Sequence, residues 1–282
     1  NYIIGEMIGE LNVGHAYVWG GDNENADKVS VGLLGAEFEL VEGVYQIKEI
    51  LKGSEMDPDI VSPLSDPSLH VSVGDYILAV NQKEILPDQS IYAAFQNTGG
   101  KLIQLTLNSN PSMEGARTVE VKTLTSEGPL RNRAWIEENR QQVLDATDGR
   151  CGYIYVPNTG IDGQNELVRQ FQGQTNMQAL IIDERFNAGG QIPDRFIELL
   201  NRPLYNYFGR REMESWPTPF VSNTGPKVMI ANEWAGSGGD AFPYYFQKAG
   251  LGPVVGKRTW GGLVGISDFP VLVDGGVVTA PN

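Results

Sequence analysis

The sequence of 282 residues has few of the residue types that build disulfides, metal sites and nucleic-acid interfaces. Its one cysteine, Cys151, excludes an internal disulfide and a cysteine-rich zinc site. Only His15 and His70 are available for histidine chemistry, and we predict no metal or other cofactor. Lysine and arginine total 21 against 35 aspartates and glutamates, and the resulting net charge of −14 argues against nucleic-acid binding.

Long apolar runs are also missing. No 18-residue apolar stretch and no basic segment followed by an apolar one occurs, so we predict neither a membrane span nor a signal peptide. The chain starts at Asn1 without an initiator methionine, which indicates a fragment or a processed protein. Targeting signals could lie outside this sequence, and the location that we predict is cytoplasmic.

The composition changes twice along the chain, which predicts three segments. Residues 1–30 begin with apolar residues at helical spacing and end in a polar linker from residue 23. Residues 31–124 alternate short β-branched runs with glycine turns, which predicts a mostly-β domain with one or two helices, one of them at 90–96. Residues 125–282 alternate strand and helix patterns, which predicts an α/β layer.

Ser237 is the first candidate for chemistry. It follows an apolar strand at 228–231, is flanked by glycines, and precedes a predicted helix. A serine at such a turn is exposed at a helix N-terminus, where backbone N–H groups stabilise a developing oxyanion. The alternative interpretation is that Ser237 is only a helix N-cap.

Two further places are candidates for the same chemistry. Gly189 and Gly190 end a polar stretch after a buried strand, so their N–H groups could point into a cleft; an ordinary β–α loop is the alternative. His15 could serve as the base that a serine hydroxyl needs, because His70 lies in a proline-rich surface loop. A structural role for His15 is the alternative.

Several motifs in a fixed order resemble the tricorn protease family, in the clan of the carboxy-terminal processing peptidases. They are Glu-Leu-Asn-x-x-His, a PDZ-like domain, Asp-x-Arg-x-Asn-x-Gly-Gly, Gly-Ser-x-Gly-Asp and Gly-Lys-Arg-Thr-Trp-Gly-Gly, at residues 10–15, 31–124, 183–190, 236–240 and 256–262. The resemblance covers nearly the whole chain. It implies a multidomain α+β protein: a short helical segment (1–30), the PDZ-like domain (31–124) and a crotonase/ClpP-like α/β peptidase domain (125–282).

The resemblance implies a serine peptidase that cuts short peptides. Ser237 would be the nucleophile, His15 the general base, and the N–H groups of Gly190 and Gly238 the oxyanion hole. The processing peptidases place a lysine about 25 residues after the serine; Gly262 stands there in this chain, which favours a histidine base. An orienting glutamate is expected downstream of residues 274–276, beyond Asn282.

The same resemblance suggests where peptides bind. The expected substrate-binding residues are Gly189, Trp260, Gly261, Arg210 and Arg211. The two arginines would suit acidic or carboxylate groups, and a solvated loop is the alternative for them. A ring-type homo-oligomer is the expected assembly.

In the PDZ-like domain, Leu34 and Gly35 resemble a carboxylate-binding loop that could receive a peptide C-terminus. The alternative is that this domain is a spacer. Gly14 replaces the family's serine before the histidine, and Gly238 replaces an acidic residue after the nucleophile. These departures keep open a catalytically impaired, PDZ-type peptide-binding protein, while a crotonase-like acyl-transfer enzyme is a weaker third possibility.

Overall fold

The computed structural model describes residues 2–22, 28–53, 59–267 and 269–282. Most of the predicted linker at 23–30 lies outside these ranges. The chain divides into two units, one formed by Asn25–Glu138 and the other by Asn1–Glu24 with Asn139–Asn282. Among the described residues, no helix has the length and apolarity needed to cross a bilayer.

The helices and strands follow in chain order. They are α1 (Tyr2–Gly9), β1 (Val18–Trp19), β2 (Ala36–Val41), β3 (Val44–Ile50), β4 (Tyr76–Val80), β5 (Lys83–Glu84), β6 (Leu102–Asn108), β7 (Arg117–Lys122), α2 (Gly128–Ala146), β8 (Cys151–Tyr155), α3 (Ile161–Gln172), β9 (Ala179–Asp183), α4 (Pro193–Leu200), β10 (Asn206–Phe208), β11 (Trp216–Thr218), β12 (Lys227–Ala231), α5 (Gly238–Lys248), β13 (Val254–Gly256) and β14 (Val277–Val278).

The unit formed by Asn25–Glu138 is built on an antiparallel sheet. Its strands follow the order β2-β3-β4-β6-β7, and β5 pairs with β4. Strand β4 is buried along its whole length, and its neighbour β6 alternates buried with partly exposed residues over most of its length, as expected for a strand with one face on a core. The predicted mostly-β domain is therefore confirmed.

The helix predicted at residues 90–96 is a short 3₁₀ turn, Ile91–Phe95. Its hydrogen bonds span three residues, with the Ala93 N–H donating to Ser90 O at 2.9 Å. Ile91 and Phe95 are both anchored in the core of the sheet, and an extended Gln96 ends the turn before an α-helix can form.

The second unit contains a four-stranded parallel sheet in the order β13-β12-β9-β8. Successive strands of this sheet are connected through α3, α4 and α5, as the alternating pattern predicted. The helices bury aromatic side chains against the sheet, and the rings of Phe196 and Phe242 lie 5.5 Å apart. Burying one such phenylalanine stabilises the fold by about 2–3 kcal/mol.

The N-terminal segment belongs to this second unit rather than standing alone. Strand β1 pairs with β14, and the Tyr17 N–H donates to Thr279 Oγ1 at 2.8 Å. The same Thr279 hydroxyl donates to the His15 carbonyl at 2.6 Å. These bonds fix the backbone at His15, although the two residues are 264 positions apart.

Candidate active site

The four loops that follow the parallel strands meet at one edge of the sheet. They contain Thr159 after β8, Gly189 and Gly190 after β9, Ser237 after β12, and Trp260 after β13. The carboxyl ends of parallel strands are the usual place for ligand binding in α/β folds. The structure therefore brings four predicted site residues, Gly189, Gly190, Ser237 and Trp260, to one edge.

Ser237 is the N-cap of α5 and has φ 57° and ψ −117°. A positive φ is strained for a residue with a side chain and costs about 1–3 kcal/mol unless the surroundings hold it. The side chain is half-buried, at the sharp turn between β12 and the helix. This is the backbone geometry that presents a serine hydroxyl at a helix N-terminus.

Asp240 holds this turn in place, and the sequence analysis gave it no role. Its carboxylate accepts hydrogen bonds from the N–H groups of Ser237 at 2.8 Å, Gly261 at 2.7 Å and Gly262 at 2.9 Å. It therefore ties the Ser237 turn to the loop after β13. The Ser-x-x-Asp spacing, which matches a helix capping box, was the signal that could have identified it.

Two glycines beside Ser237 are packed so closely that no side chain would fit at either position. A Cβ added at Gly189 would lie 2.8 Å from Ser237 Cβ, and one at Gly238 would overlap Thr159 Oγ1 and the Gly190 carbonyl. Within the described residues, the N–H groups of Gly190 and Gly238 donate to no other group. Two free backbone donors thus lie beside the serine, as an oxyanion hole requires.

Asn187 joins the two glycine-containing loops and was also not singled out from the sequence. It is fully buried; its Oδ1 accepts from the Gly189 N–H at 2.9 Å, and its carbonyl accepts from the Gly236 N–H at 3.1 Å. The Asn187 carboxamide therefore accepts from Gly189 and not from the next residue, so the Gly190 N–H stays available for another acceptor.

His15 reaches the same region through Trp260. The two rings are edge-to-face with centroids 5.4 Å apart, and the Trp260 ring also lies against Gly236, the residue before Ser237. The backbone N–H of Trp260 donates to the Ala235 carbonyl at 2.9 Å. His15 Nδ1 is buried and has no hydrogen-bond partner among the residues that the structure describes.

Gly14 is packed against this same tryptophan. A Cβ added there would lie 3.3 Å from the Trp260 ring and 3.4 Å from Gly262 Cα. A serine at this position, as in the family pattern, would therefore need a small shift of the ring. Because Gly14 has no side chain, the backbone next to His15 packs closely against the loop after β13.

Two acidic residues lie at the carboxyl end of β9, just before the loop with Gly189 and Gly190. Asp183 is fully buried, accepts from the Tyr153 hydroxyl at 2.7 Å, and pairs with the Arg185 guanidinium. Glu184 is fully buried too, and neither of its carboxyl oxygens has a partner within the described ranges. Burial raises the pKa of Glu184 to about 9, and the neighbouring carboxylates of Asp240 and Asp183 contribute to the rise. Glu184 is therefore a neutral acid at neutral pH.

Arg210 and Arg211 belong to the same unit as Ser237. Both are exposed on the loop of the β10–β11 hairpin, and the Arg210 guanidinium stacks over Trp216 at 5.6 Å. Their role in substrate binding stays a prediction. In the described part of the chain, no group of three or more His, Cys, Asp or Glu side chains is arranged to hold a metal ion.

The predicted carboxylate-binding loop already holds a carboxylate of the chain itself. The Gly35 N–H donates to Glu127 Oε1 at 2.7 Å, and Glu127 in turn pairs with Arg131. Leu34 is buried, and its carbonyl accepts from the Ser62 hydroxyl at 3.0 Å. The Gly35 N–H is thus occupied by Glu127, and a role of Leu34 and Gly35 in binding a peptide carboxylate stays a prediction.

A serine at a strained strand-to-helix turn, with two unoccupied backbone N–H groups beside it and a histidine-bearing segment nearby, is the arrangement of a serine hydrolase. Comparison with known proteins narrows this class. Residues 32–126 match the family described as "Tricorn protease PDZ domain", and residues 150–282 match "Peptidase family S41".

Similar whole proteins agree with these matches. The chain is 35% identical to a "Tricorn protease" of Thermoplasma volcanium, over 100% of this chain and 27% of that protein. It is 36% identical to "Tricorn protease homolog 1" of Streptomyces coelicolor, over 99% of this chain and 26% of the relative. A solved structure described as "Crystal structure of the tricorn protease" superposes with a TM-score of 0.90 at 32% identity, covering 98% of this chain and 27% of that one.

The chain therefore belongs to the tricorn protease family, and its residues 150–282 belong to peptidase family S41. These matches confirm the resemblance that the motifs indicated, and they confirm the predicted PDZ domain. They also confirm, at the level of the family, the predicted serine peptidase. The chain spans about a quarter of the length of the relatives that it matches.

Proposed function

We propose that this chain carries the catalytic centre of a serine peptidase that hydrolyses peptides. One observation carries the proposal: Ser237 lies at a strained turn beside the unoccupied N–H groups of Gly190 and Gly238. Trp260 connects this turn to His15, the histidine that would serve as base.

In the proposed reaction, Ser237 Oγ attacks the peptide carbonyl carbon while His15 takes the hydroxyl proton. The carbonyl oxygen becomes an oxyanion, which the N–H groups of Gly190 and Gly238 would stabilise; each such donor is typically worth about 10²–10³ in rate. Collapse of the tetrahedral intermediate breaks the C–N bond, and His15 returns the proton to the leaving amine. Water then hydrolyses the acyl-enzyme by the same steps, with His15 as base.

A fluorophosphonate probe tests this assignment, because it phosphonylates an activated serine. We expect one adduct, mapped by peptide mass spectrometry to Ser237 and lost in Ser237→Ala. His15→Ala should slow labelling by at least about 10²-fold, because the base is removed. His70→Ala is the matched control, since this exposed histidine lies in the other unit. An adduct elsewhere, or equal slowing in both histidine variants, would contradict the proposal.

The rival function is a PDZ-type peptide-binding protein without turnover. The occupied Gly35 N–H speaks against it, because a peptide carboxylate would have to displace Glu127 from a bond of 2.7 Å. The rival predicts peptide binding that Gly35→Ala weakens and Ser237→Ala leaves unchanged. The peptidase proposal predicts a hydrolysis rate that disappears in Ser237→Ala.

The finer expectations belong to this proposal. Peptide substrates would contact Gly189, Trp260 and Gly261, which lie at the same sheet edge as Ser237 or are bonded to the Ser237 turn through Asp240. Assembly into a ring, which the resemblance implies, is tested by the molar mass from light scattering. A crotonase/ClpP-like architecture and a cytoplasmic location stay predictions.

A further inference from the structure

Thr159, in the loop after β8, lies at the same sheet edge as Ser237, and the proposed reaction gives it no role. Its side chain is fully buried, and within the described stretches of the chain its hydroxyl has no hydrogen-bond partner. It packs against Gly190 and Gly238, the two glycines whose N–H groups would form the oxyanion hole. Its contacts therefore point to a role in placing those glycines.

The backbone of Thr159 holds the residues on both sides of Gly190. The Thr159 N–H donates to the Gly189 carbonyl at 2.8 Å, and the Thr159 carbonyl accepts from the Ile192 N–H at 3.0 Å. In a trans peptide the C=O and N–H groups point in opposite directions. The hydrogen bond on the Gly189 carbonyl therefore turns the Gly190 N–H, which belongs to the same peptide group, away from the Thr159 backbone.

Gly190 needs such a constraint from its neighbours. Its φ is 148°, a conformation that glycine adopts readily and residues with side chains rarely do. A Cβ added at Gly190 would overlap the carbonyl carbon of Thr159, so this position cannot carry a side chain that would restrict its own backbone. Glycine rotates about its backbone bonds more freely than any other residue, and the direction of its N–H therefore depends on the groups packed around it.

The Thr159 side chain supplies part of this packing. A Cβ added at Gly238 would overlap Thr159 Oγ1 and the Gly190 carbonyl oxygen, and it would lie 2.8 Å from the Gly190 nitrogen. The threonine hydroxyl therefore occupies the space between the two glycines, next to the backbone of Gly190. Because threonine is branched at Cβ, its side chain is restricted in rotation and stays in that space.

We propose that Thr159 is a positioning residue of the oxyanion hole, an inference that rests on the proposed peptidase function. Its backbone fixes the Gly189–Gly190 peptide group, and its side chain keeps Gly190 from rotating into the space beside Gly238. Thr159 acts on the rate through the Gly190 N–H rather than on the substrate itself. Since the hydroxyl has no partner among the described residues, the role depends on the shape of the side chain.

Side-chain variants test the role of shape. Thr159→Gly empties the space, and we expect kcat on a peptide substrate to fall roughly 10–100-fold with KM within about twofold, because a donor displaced by about 1 Å stabilises the oxyanion poorly. Thr159→Ala should fall in the same direction and serves if the glycine variant does not fold. Thr159→Val keeps the branched shape and should retain kcat within about threefold of the wild type.

Thr123→Ala is the matched control, because it removes a buried threonine from the other unit. It should leave kcat unchanged. If Thr159→Val lost as much kcat as Thr159→Gly while Thr159→Ser kept it, the hydroxyl itself would be the acting group and the role of shape would be overturned. An unchanged kcat in both Thr159→Gly and Thr159→Ala would overturn it as well.

A peptide aldehyde gives a readout that a purely structural role would not change. It adds to a catalytic serine as a hemiacetal whose oxygen occupies the oxyanion hole, so it imitates the transition state. We expect its inhibition constant to rise in Thr159→Gly by the same factor by which kcat/KM falls, while the Kd of the product peptide stays within about twofold. A lower free energy of unfolding with an unchanged inhibition constant would contradict the positioning role.

Replacing Thr159 by its α-hydroxy acid in cell-free synthesis tests the backbone bond. The change turns the amide into an ester and deletes the N–H that binds the Gly189 carbonyl, but it keeps the side chain; kcat should fall at least about tenfold. The same change at Ala249, whose N–H donates to the Tyr245 carbonyl at 2.9 Å, is the control and should leave kcat within about twofold. Equal losses at both positions would overturn the positioning role.

The outcomes separate the two proposals. A wild-type chain that neither hydrolyses peptides nor reacts with a fluorophosphonate at Ser237 would contradict the proposed function. Hydrolysis at Ser237 that is insensitive to Thr159→Gly and to the ester would overturn the role of Thr159 and leave the proposed function intact.

Discussion

Replacing Glu184 by glutamine should change how the stability of the chain depends on pH. The carboxyl group is fully buried, and both of its oxygens lack partners in the described part of the chain. The carboxylates of Asp240 and Asp183 act on it electrostatically. Burial, reinforced by these two charges, keeps the proton on Glu184 in the folded state, whereas an unfolded chain releases it near the ordinary glutamate pKa.

The magnitude follows from the two pKa values. The pKa of Glu184 is about 9 in the folded state against a usual 4.5. Between these values the folded state binds one proton more than the unfolded state, so its stability is fully present below about pH 4.5 and falls as pH rises towards 9. One proton corresponds to about 1.4 kcal/mol per pH unit, so raising the pH from 5 to 8 costs about 4 kcal/mol.

Glu184→Gln keeps the shape of the side chain and removes the titration. Urea unfolding followed by tryptophan fluorescence at several pH values between 5 and 8 gives the free energy of unfolding of each variant. We expect the difference between Glu184→Gln and wild type to move by about 4 kcal/mol in favour of glutamine across that range. Glu198→Gln, at an exposed position of α4 in the same unit, corrects for loss of a surface carboxylate. If the Glu184→Gln and wild-type free energies ran parallel across this range, the reasoning would be refuted.

Three more predictions concern the residues around the serine. Gly238→Ala places a methyl group against Thr159 Oγ1 and the Gly190 carbonyl, and kcat on a peptide substrate should fall at least about tenfold. An unchanged kcat would contradict a role of Gly238 in the oxyanion hole. Asp240→Asn keeps only one acceptor oxygen for three N–H groups and should lower kcat roughly 10–100-fold with an unchanged circular dichroism spectrum. Asp183→Asn leaves the half-buried guanidinium of Arg185 without its carboxylate and should lower the free energy of unfolding in urea by about 3–5 kcal/mol. A loss of less than about 1 kcal/mol would mean that the ion pair is dispensable.

Local pattern was enough to find the loops of the candidate site. Apolar strands that end in glycine-containing stretches mark residues 183–190, 232–238 and 256–262 in the sequence, and the rule for parallel strands brings such stretches to one edge. The same local reasoning overestimated the helix at residues 90–96. It did so because spacing alone does not reveal that Ile91 and Phe95 are held by the core of a sheet formed from distant strands.

Contacts between residues that are distant in the sequence could not be predicted from local patterns. The hydrogen bond from the Gly35 N–H to the Glu127 carboxylate joins residues 92 positions apart. The hydrogen bond from the Thr279 hydroxyl to the His15 carbonyl joins residues 264 positions apart. Neither side chain stands out in the sequence, because a single glutamate or threonine has no characteristic spacing. The buried state of Glu184 is equally invisible, since its immediate neighbours, Asp183 and Arg185, are charged.

By itself the sequence indicated the family and the order of the segments, and it predicted a serine, a histidine and glycines for the site. These depend on residue type and local spacing, which a linear chain records directly. Only the tertiary structure decided that Asp240 ties two loops together, that Trp260 links His15 to the Ser237 turn, and that Glu184 keeps its proton. Each of these depends on burial and on short distances between strand ends, and both arise only when the sheet has assembled.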